Sequence, residues 1–241
     1  MLVIGLQRLR ARLAGEGGFT LVELLTAMVI GMVVIFAAFT LMERSFSAAN
    51  EVADRTDAAQ RGRIAMDTVT RQLRSQVCFS GQLPLLAASA SSIDFVTDLG
   101  DGTAAPERHV LTFANGTNGY TLTERDYLMT SANGATPVTW APTPARTKTL
   151  LTGIAPNGTA PFFQYLGYDA STNPPSVSTL NSPLASVDFD NVTQIAVNFT
   201  VSPAHANVSA ARGSALSDQV AVPQADPNLT DPNKPAVSAT C

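Results

Sequence analysis

The sequence predicts an α+β protein in which one long N-terminal helix precedes a β-rich domain. Three observations carry the prediction. An apolar run without a charged residue extends from Leu24 to Met42, no proline interrupts the chain between Phe19 and Pro84, and from Ser80 onward short alternating segments are separated by turn residues. The length of 241 residues suits one sizeable domain beside a membrane segment. With 14% charged and 7% aromatic residues and many Thr, Ser, Asn, Gly and Pro, the part beyond the helix reads as an extracellular β module.

Residues 1–18 form a basic leader with Arg8, Arg10 and Arg12, which the positive-inside rule keeps cytoplasmic. Residues 19–42 follow as a helix able to cross a hydrocarbon core about 30 Å thick. Nothing forces it to stop there, and continued to Val77 it would measure about 89 Å. Its continuation, residues 43–78, is charged. Met66, Val69, Leu73 and Val77 keep an apolar seam at helical spacing, one face to bury against a sheet. Asp67, Thr70, Arg71 and Arg74 read as its solvated side, with Asp67 and Arg71 at i, i+4. Gly31 and Gly62 are weak points, each costing a helix up to about 1 kcal/mol relative to alanine.

Residues 79–203 hold the predicted strands: Ser92–Thr97, His109–Ala114, Tyr120–Glu124, Thr147–Ile154, Phe162–Tyr168 and Gln194–Val201. Asn115 to Gly119 reads as a longer hairpin loop. Pro137, Pro142, Pro144, Pro174 and Pro175 mark further loops. In Gln194–Val201, Ile195, Val197, Phe199 and Val201 share one face, with Ala196, Asn198 and Thr200 on the other. After Pro203 apolar periodicity fades, and residues 204–241 read as a mostly irregular tail.

Few residues suggest chemistry. His109 and His205, the two histidines, lie outside any H-E-x-x-H arrangement, so a strand histidine and a loop histidine are the expected reading. No metal or cofactor motif is recognised. Asp98-Leu-Gly-Asp101-Gly has oxygen ligands of the kind calcium takes but lacks the full loop pattern, and reads as a turn. Glu124-Arg-Asp126 reads as exposed charge after a strand, and Phe162, Phe163, Tyr165 and Tyr168 as core. The N-x-[ST] sequences, among them Asn198 and Asn228, read as β-domain composition. Cys78 and Cys241 form no metal spacing. In an exported domain they would tie the C-terminus to the end of the helix as a disulfide. Two unpaired thiols fit the sequence as well.

A secretory signal peptide places an A-x-A-like cleavage site after its apolar segment. Here the candidate signal, Gly17-Gly18 behind the arginines, lies before it, and Phe19-Thr-Leu-Val-Glu23 opens the apolar run. This order resembles the class III signal of type IV prepilins and pseudopilins. The resemblance implies cleavage between Gly18 and Phe19 by a prepilin peptidase and N-methylation of Phe19. It also implies an assembly role for Glu23, the fifth mature residue, which pairs with the freed amine of a neighbouring subunit. An acid inside such a helix is otherwise expensive, about 2.5–3.5 kcal/mol for strongly polar side chains at mid-membrane and less near the ends. Glycine before the cut suits a protease that must seat an extended backbone tightly.

The segment from Arg61 to Ser75 is similar to the helix leading into the globular domain of larger minor pilins and the J-type minor pseudopilin of type II secretion. The implied fold is pilin-like, with the helix packed on a mainly antiparallel β-sheet domain. The implied function is structural and non-enzymatic: initiating or capping a type IV pilus or pseudopilus. Partners would be the peptidase, other pilin or pseudopilin subunits, and before assembly the inner membrane. The protein would cross that membrane once, N-terminus cytoplasmic and C-terminal domain periplasmic or extracellular. Removing residues 1–18 takes away three arginines and one glutamate, leaving 12 basic against 18 acidic residues. The resulting balance of −6 disfavours nucleic acid as a partner. Two alternatives are a DNA-uptake pilus subunit, which a basic surface stripe would favour, and a membrane-anchored extracytoplasmic enzyme or adhesin.

Overall fold

The structure, a computed structural model, describes residues 18–98, 105–131, 137–169, 176–203 and 213–222. The chain separates into two units at the junction of Asn50 and Glu51. A single helix, α1 (Leu21–Arg74), contributes to both. It starts two residues later than expected, because Thr20 caps it: the Thr20 Oγ1 accepts from the Glu23 amide at 3.3 Å and its carbonyl accepts from Leu24 at 3.1 Å. A threonine three residues before a glutamate is half of a capping box.

In the first unit α1 is exposed on every side except for half-buried Gly31. It is long and apolar enough to cross a membrane. In the second unit Ala58, Gly62, Ala65, Met66, Val69, Thr70, Gln72 and Leu73 are buried, so the expected seam begins two turns earlier, at Ala58. Asp67, Arg71 and Arg74 face solvent as expected but Thr70, expected beside them, is buried, and the i, i+4 ion pairs among the described residues are Glu51 with Arg55 and Asp57 with Arg61. The helix ends at Arg74, short of the expected boundary at 78, because the next residues join the sheet: Gln76 bridges Thr97 and the Val77 amide donates to the Val96 carbonyl at 3.1 Å.

Nine strands follow: β1 (Leu85–Ala88), β2 (Ser92–Thr97), β3 (Glu107–Gly116), β4 (Gly119–Tyr127), β5 (Arg146–Ala155), β6 (Phe163–Asp169), β7 (Ser176–Thr179), β8 (Val192–Val201) and β9 (Ser214–Ala221). Every pairing among the described strands is antiparallel, in the order β1-β2-β3-β4-β5-β8-β6-β7, with β9 on β8. The architecture is the expected α+β, pilin-like one. Two leaves, β1–β5 and β6–β9, meet in the sheet where β5 pairs with β8, at Ile154 with Val201 and Ala155 with Thr200.

Three strands escaped the sequence reading. β1 is an alanine-rich edge of four residues, β7 an edge of alternating serine, valine and threonine, and β9 lies inside the stretch expected to be irregular. In β9 only Leu216 and Val220 carry the apolar alternation, a weak period-2 signal that pairing with β8 completes. The expected long hairpin loop is also shorter. Gly116 pairs with Gly119, leaving Thr117 and Asn118 as the turn, and Gly119 adopts φ +89° where a side chain would be strained.

The core of the second unit lies between α1 and the sheet. Phe113 stacks on Phe162 with ring centroids 4.2 Å apart and meets Phe163 at 5.3 Å and Phe199 at 5.8 Å. Phe162, Phe163 and Tyr165 are core, as expected, whereas Tyr168 is exposed. The Tyr165 hydroxyl donates to the Ser89 carbonyl at 3.0 Å, and burial pushes its pKa up. On β8 the expected apolar face is fully buried, and the opposite residues Ala196, Asn198 and Thr200 are buried as well. Asn198 accepts from the Ser217 hydroxyl of β9 at 2.6 Å, so it serves strand packing.

Candidate functional site

Gly18, Phe19 and Thr20 precede α1 and are all exposed. A Cβ added at Gly18 would meet nothing within 4 Å, so neither packing nor a left-handed backbone calls for glycine there. Phe19 likewise packs on nothing of its own chain, being 80% exposed. Glu23 is exposed at the third helical position, where the helix dipole favours an acid by about 0.3–1 kcal/mol. That local gain offsets part of the cost of an acid near an apolar segment. Leu21 to Met42 presents large apolar side chains all round, with Leu24, Met28, Ile35 and Phe39 each more than half exposed. Such a surface requires lipid or other helices to cover it.

A second group of residues was not foreseen. Glu124 and Asp126, expected to be exposed, are 2% and 3% exposed, and His109 is 0% exposed. The reason is strand period. In β4 the buried Leu122 fixes the inward face, and Glu124 and Asp126 lie two and four residues beyond it. In β3, His109 shares the inward face with Leu111 and Phe113. Register then aligns Phe95, His109, Asp126 and Arg146 in one row across β2, β3, β4 and β5. The Phe95 ring stacks against His109 at 6.1 Å.

His109 Nδ1 lies 3.1 Å from both Glu124 Oε1 and Asp126 Oδ1, while Nε2 lies 3.3 Å from Glu107 Oε2. Gln72, on the buried face of α1, donates from its side-chain amide to Glu124 Oε1. Arg146 Nε donates to Asp126 Oδ2 at 2.6 Å. Burial acts most strongly on the His109 ring and disfavours its charge, but hydrogen bonds to Asp126 and Glu124 and their negative charge outweigh it, holding the pKa up to about 9. For Asp126, burial is again the largest influence and raises the pKa, but His109 and Arg146 together draw it below the usual carboxylate value. Nearby, Arg108 grips Asp94 through two bonds of 2.9 and 2.6 Å, which raise the guanidinium pKa further.

His205, Cys241, Asn228, Leu99 to Gly102 and the leader residues before Gly18 lie outside the described residues, whereas Asp98 follows the end of β2. Cys78 is disulfide-bonded. Glu23 and the His109 group are thus parts of different units and are separate features.

Residues 13–39 match the family described as prokaryotic N-terminal methylation motif. No curated protein matches the chain. The matched residues run from the leader, through Gly18 and Phe19, into the exposed apolar half of α1. The N-terminal region is therefore a type IV prepilin-like class III signal peptide, and the chain a pilin- or pseudopilin-like precursor in which α1 is, among the described residues, the one helix long and apolar enough to anchor it in a membrane.

Proposed function

We propose that this chain is a minor pilin or pseudopilin that helps to initiate or cap a type IV pilus or a type II secretion pseudopilus. A prepilin peptidase cuts between Gly18 and Phe19, Phe19 is N-methylated, and the apolar half of α1 leaves the bilayer to pack among other subunits' helices. The β domain lies on the periplasmic or extracellular side, with the leader arginines cytoplasmic. The chain is the substrate of these modifying enzymes and a building block of the filament, not a catalyst.

The match over residues 13–39 carries this reading. It is supported by the uncovered apolar surface from Leu21 to Met42 and by a glycine at 18 for which the fold has no need. The export side is supported by the disulfide at Cys78, whose partner on this reading is Cys241, the chain's other cysteine. The test is co-expression with a prepilin peptidase and mass spectrometry of the mature N-terminus. A chain beginning at methylated Phe19 is expected. An intact leader, or a cut beyond Met42, would refute it.

A further inference from the structure

The buried group around His109 lies apart from the N-terminal element and has its own chemistry. Two carboxylates removed from water side by side need positive charge beside them, which an imidazolium at His109 or a metal ion held by its ring can supply. Three potential ligand atoms, His109 Nδ1 and one oxygen each from Glu124 and Asp126, lie within 4.8 Å of one another. The nitrogen stands 3.1 Å from each oxygen. Ligands held about 2.0–2.1 Å from a tetrahedral zinc ion are about 3.3–3.4 Å apart, close to the two nitrogen–oxygen distances here.

Hydrogen bonding alone leaves this point incomplete. Nδ1, with its single proton, lies 3.1 Å from an oxygen of each carboxylate and is well aligned with only one of them, Glu124 Oε1, which leaves Asp126 Oδ1 without a hydrogen bond of good geometry. The Gln72 Oε1 has none either, although that residue is buried and its amide nitrogen touches Glu124. Each of the three also has the outer partner that metal ligands usually have. His109 Nε2 stands 3.3 Å from Glu107 Oε2 without yet making a hydrogen bond to it, Asp126 Oδ2 accepts from Arg146, and Glu124 is met by Gln72. A ring that ligates through Nδ1 keeps its proton on Nε2, the side turned to Glu107.

We propose that His109, Glu124 and Asp126 bind one divalent first-row transition-metal ion, zinc in preference. The imidazole nitrogen argues against calcium or magnesium, which take oxygen ligands. Enclosed on β3, β4 and α1, the ion would be structural and would fasten the helix to the first leaf of the sheet.

The experiment uses the full-length chain in detergent. Elemental analysis of protein purified without chelator is expected to find stoichiometric zinc. A strong chelator should lower the melting temperature, and zinc, but not calcium or magnesium, should restore it. Cobalt(II) added to the chelated wild-type chain should give the intense visible bands of a low-coordinate site, a readout that needs no variant. Glu107→Gln, a change at a partly exposed residue, should weaken zinc binding by about 10–100-fold while the chain stays folded. Metal-free protein that neither binds added zinc nor shifts its melting temperature would overturn the proposal and leave an imidazolium clasped by two carboxylates. So would stoichiometric zinc that persists unchanged in the Glu124→Gln, Asp126→Asn double variant.

Discussion

At the scale of single residues, the three acids that matter most are placed by opposite means, one in the open and two in the core. Glu23 sits in the open at the start of α1, where Thr20 and the helix dipole account for its local comfort but not for its position beside an apolar surface. Replacing it by valine removes a favourable first-turn charge worth about 0.3–1 kcal/mol, too little to unfold a helix of 54 residues. On the proposed function, Glu23→Val is therefore processed normally, as mass spectrometry will show, yet enters sheared filaments poorly against the wild-type chain in the same cells. Normal incorporation would remove the role assigned to the acid. Glu124 and Asp126, by contrast, are buried by strand alternation that was legible in Leu122-Thr-Glu-Arg-Asp126 once Leu122 is taken as core. What sequence could not supply is the register that sets His109 opposite Asp126, since cross-strand neighbours are fixed by pairing over distance.

At the scale of elements, α1 shows how the same residue type carries different weight in its two halves. Both Gly31 and Gly62 look like weak points, since alanine favours a helix by about 1 kcal/mol over glycine. At Gly31 a Cβ would meet nothing within 4 Å, whereas at Gly62 it would lie 2.2 Å from Leu216 Cδ1 and 2.9 Å from Val201 Cγ2. Gly62 thus lets α1 approach β8 and β9 closely, where Arg61 also donates to the Ser202 carbonyl at 2.8 Å. Gly62→Ala is expected to lower the melting temperature and Gly31→Ala to leave it unchanged or raise it. Because the nearer obstacle is the end of a leucine side chain, adding Leu216→Ala should make the alanine at 62 less harmful, which a double-mutant cycle measures. The long helix and six of the nine strands follow from periodicity. The edges β1 and β7 do not, because four residues hold too little alternation to stand out. β9 is hidden by polar neighbours that only β8 gives a reason to be extended.

At the scale of the whole molecule, the division between units coincides with a division of labour in the sequence. The buried hydrophobic residues among those described begin at Ala58, and residues 21–50 contribute none. The apolar run is therefore not part of the folding core, and its stabilisation must come from lipid or other subunits. A chain starting at Glu51 is expected to be soluble without detergent and to melt cooperatively, within a few degrees of the full-length protein. Aggregation of that fragment, or loss of its transition, would show that the first unit supports the second. The disulfide adds a further contrast. A bridge from Cys78 to Cys241 closes a loop containing the entire sheet, and the chain-entropy relation gives so long a loop about 5 kcal/mol, against about 2–4 kcal/mol for a typical crosslink. Peptide mapping of the unreduced fragment should recover the two cysteines joined, and reduction should lower its melting temperature while leaving its solubility intact. If Cys78→Ser melts like the oxidised fragment, the bridge contributes nothing to stability, and the fold rests on the contact of α1 with the sheet alone.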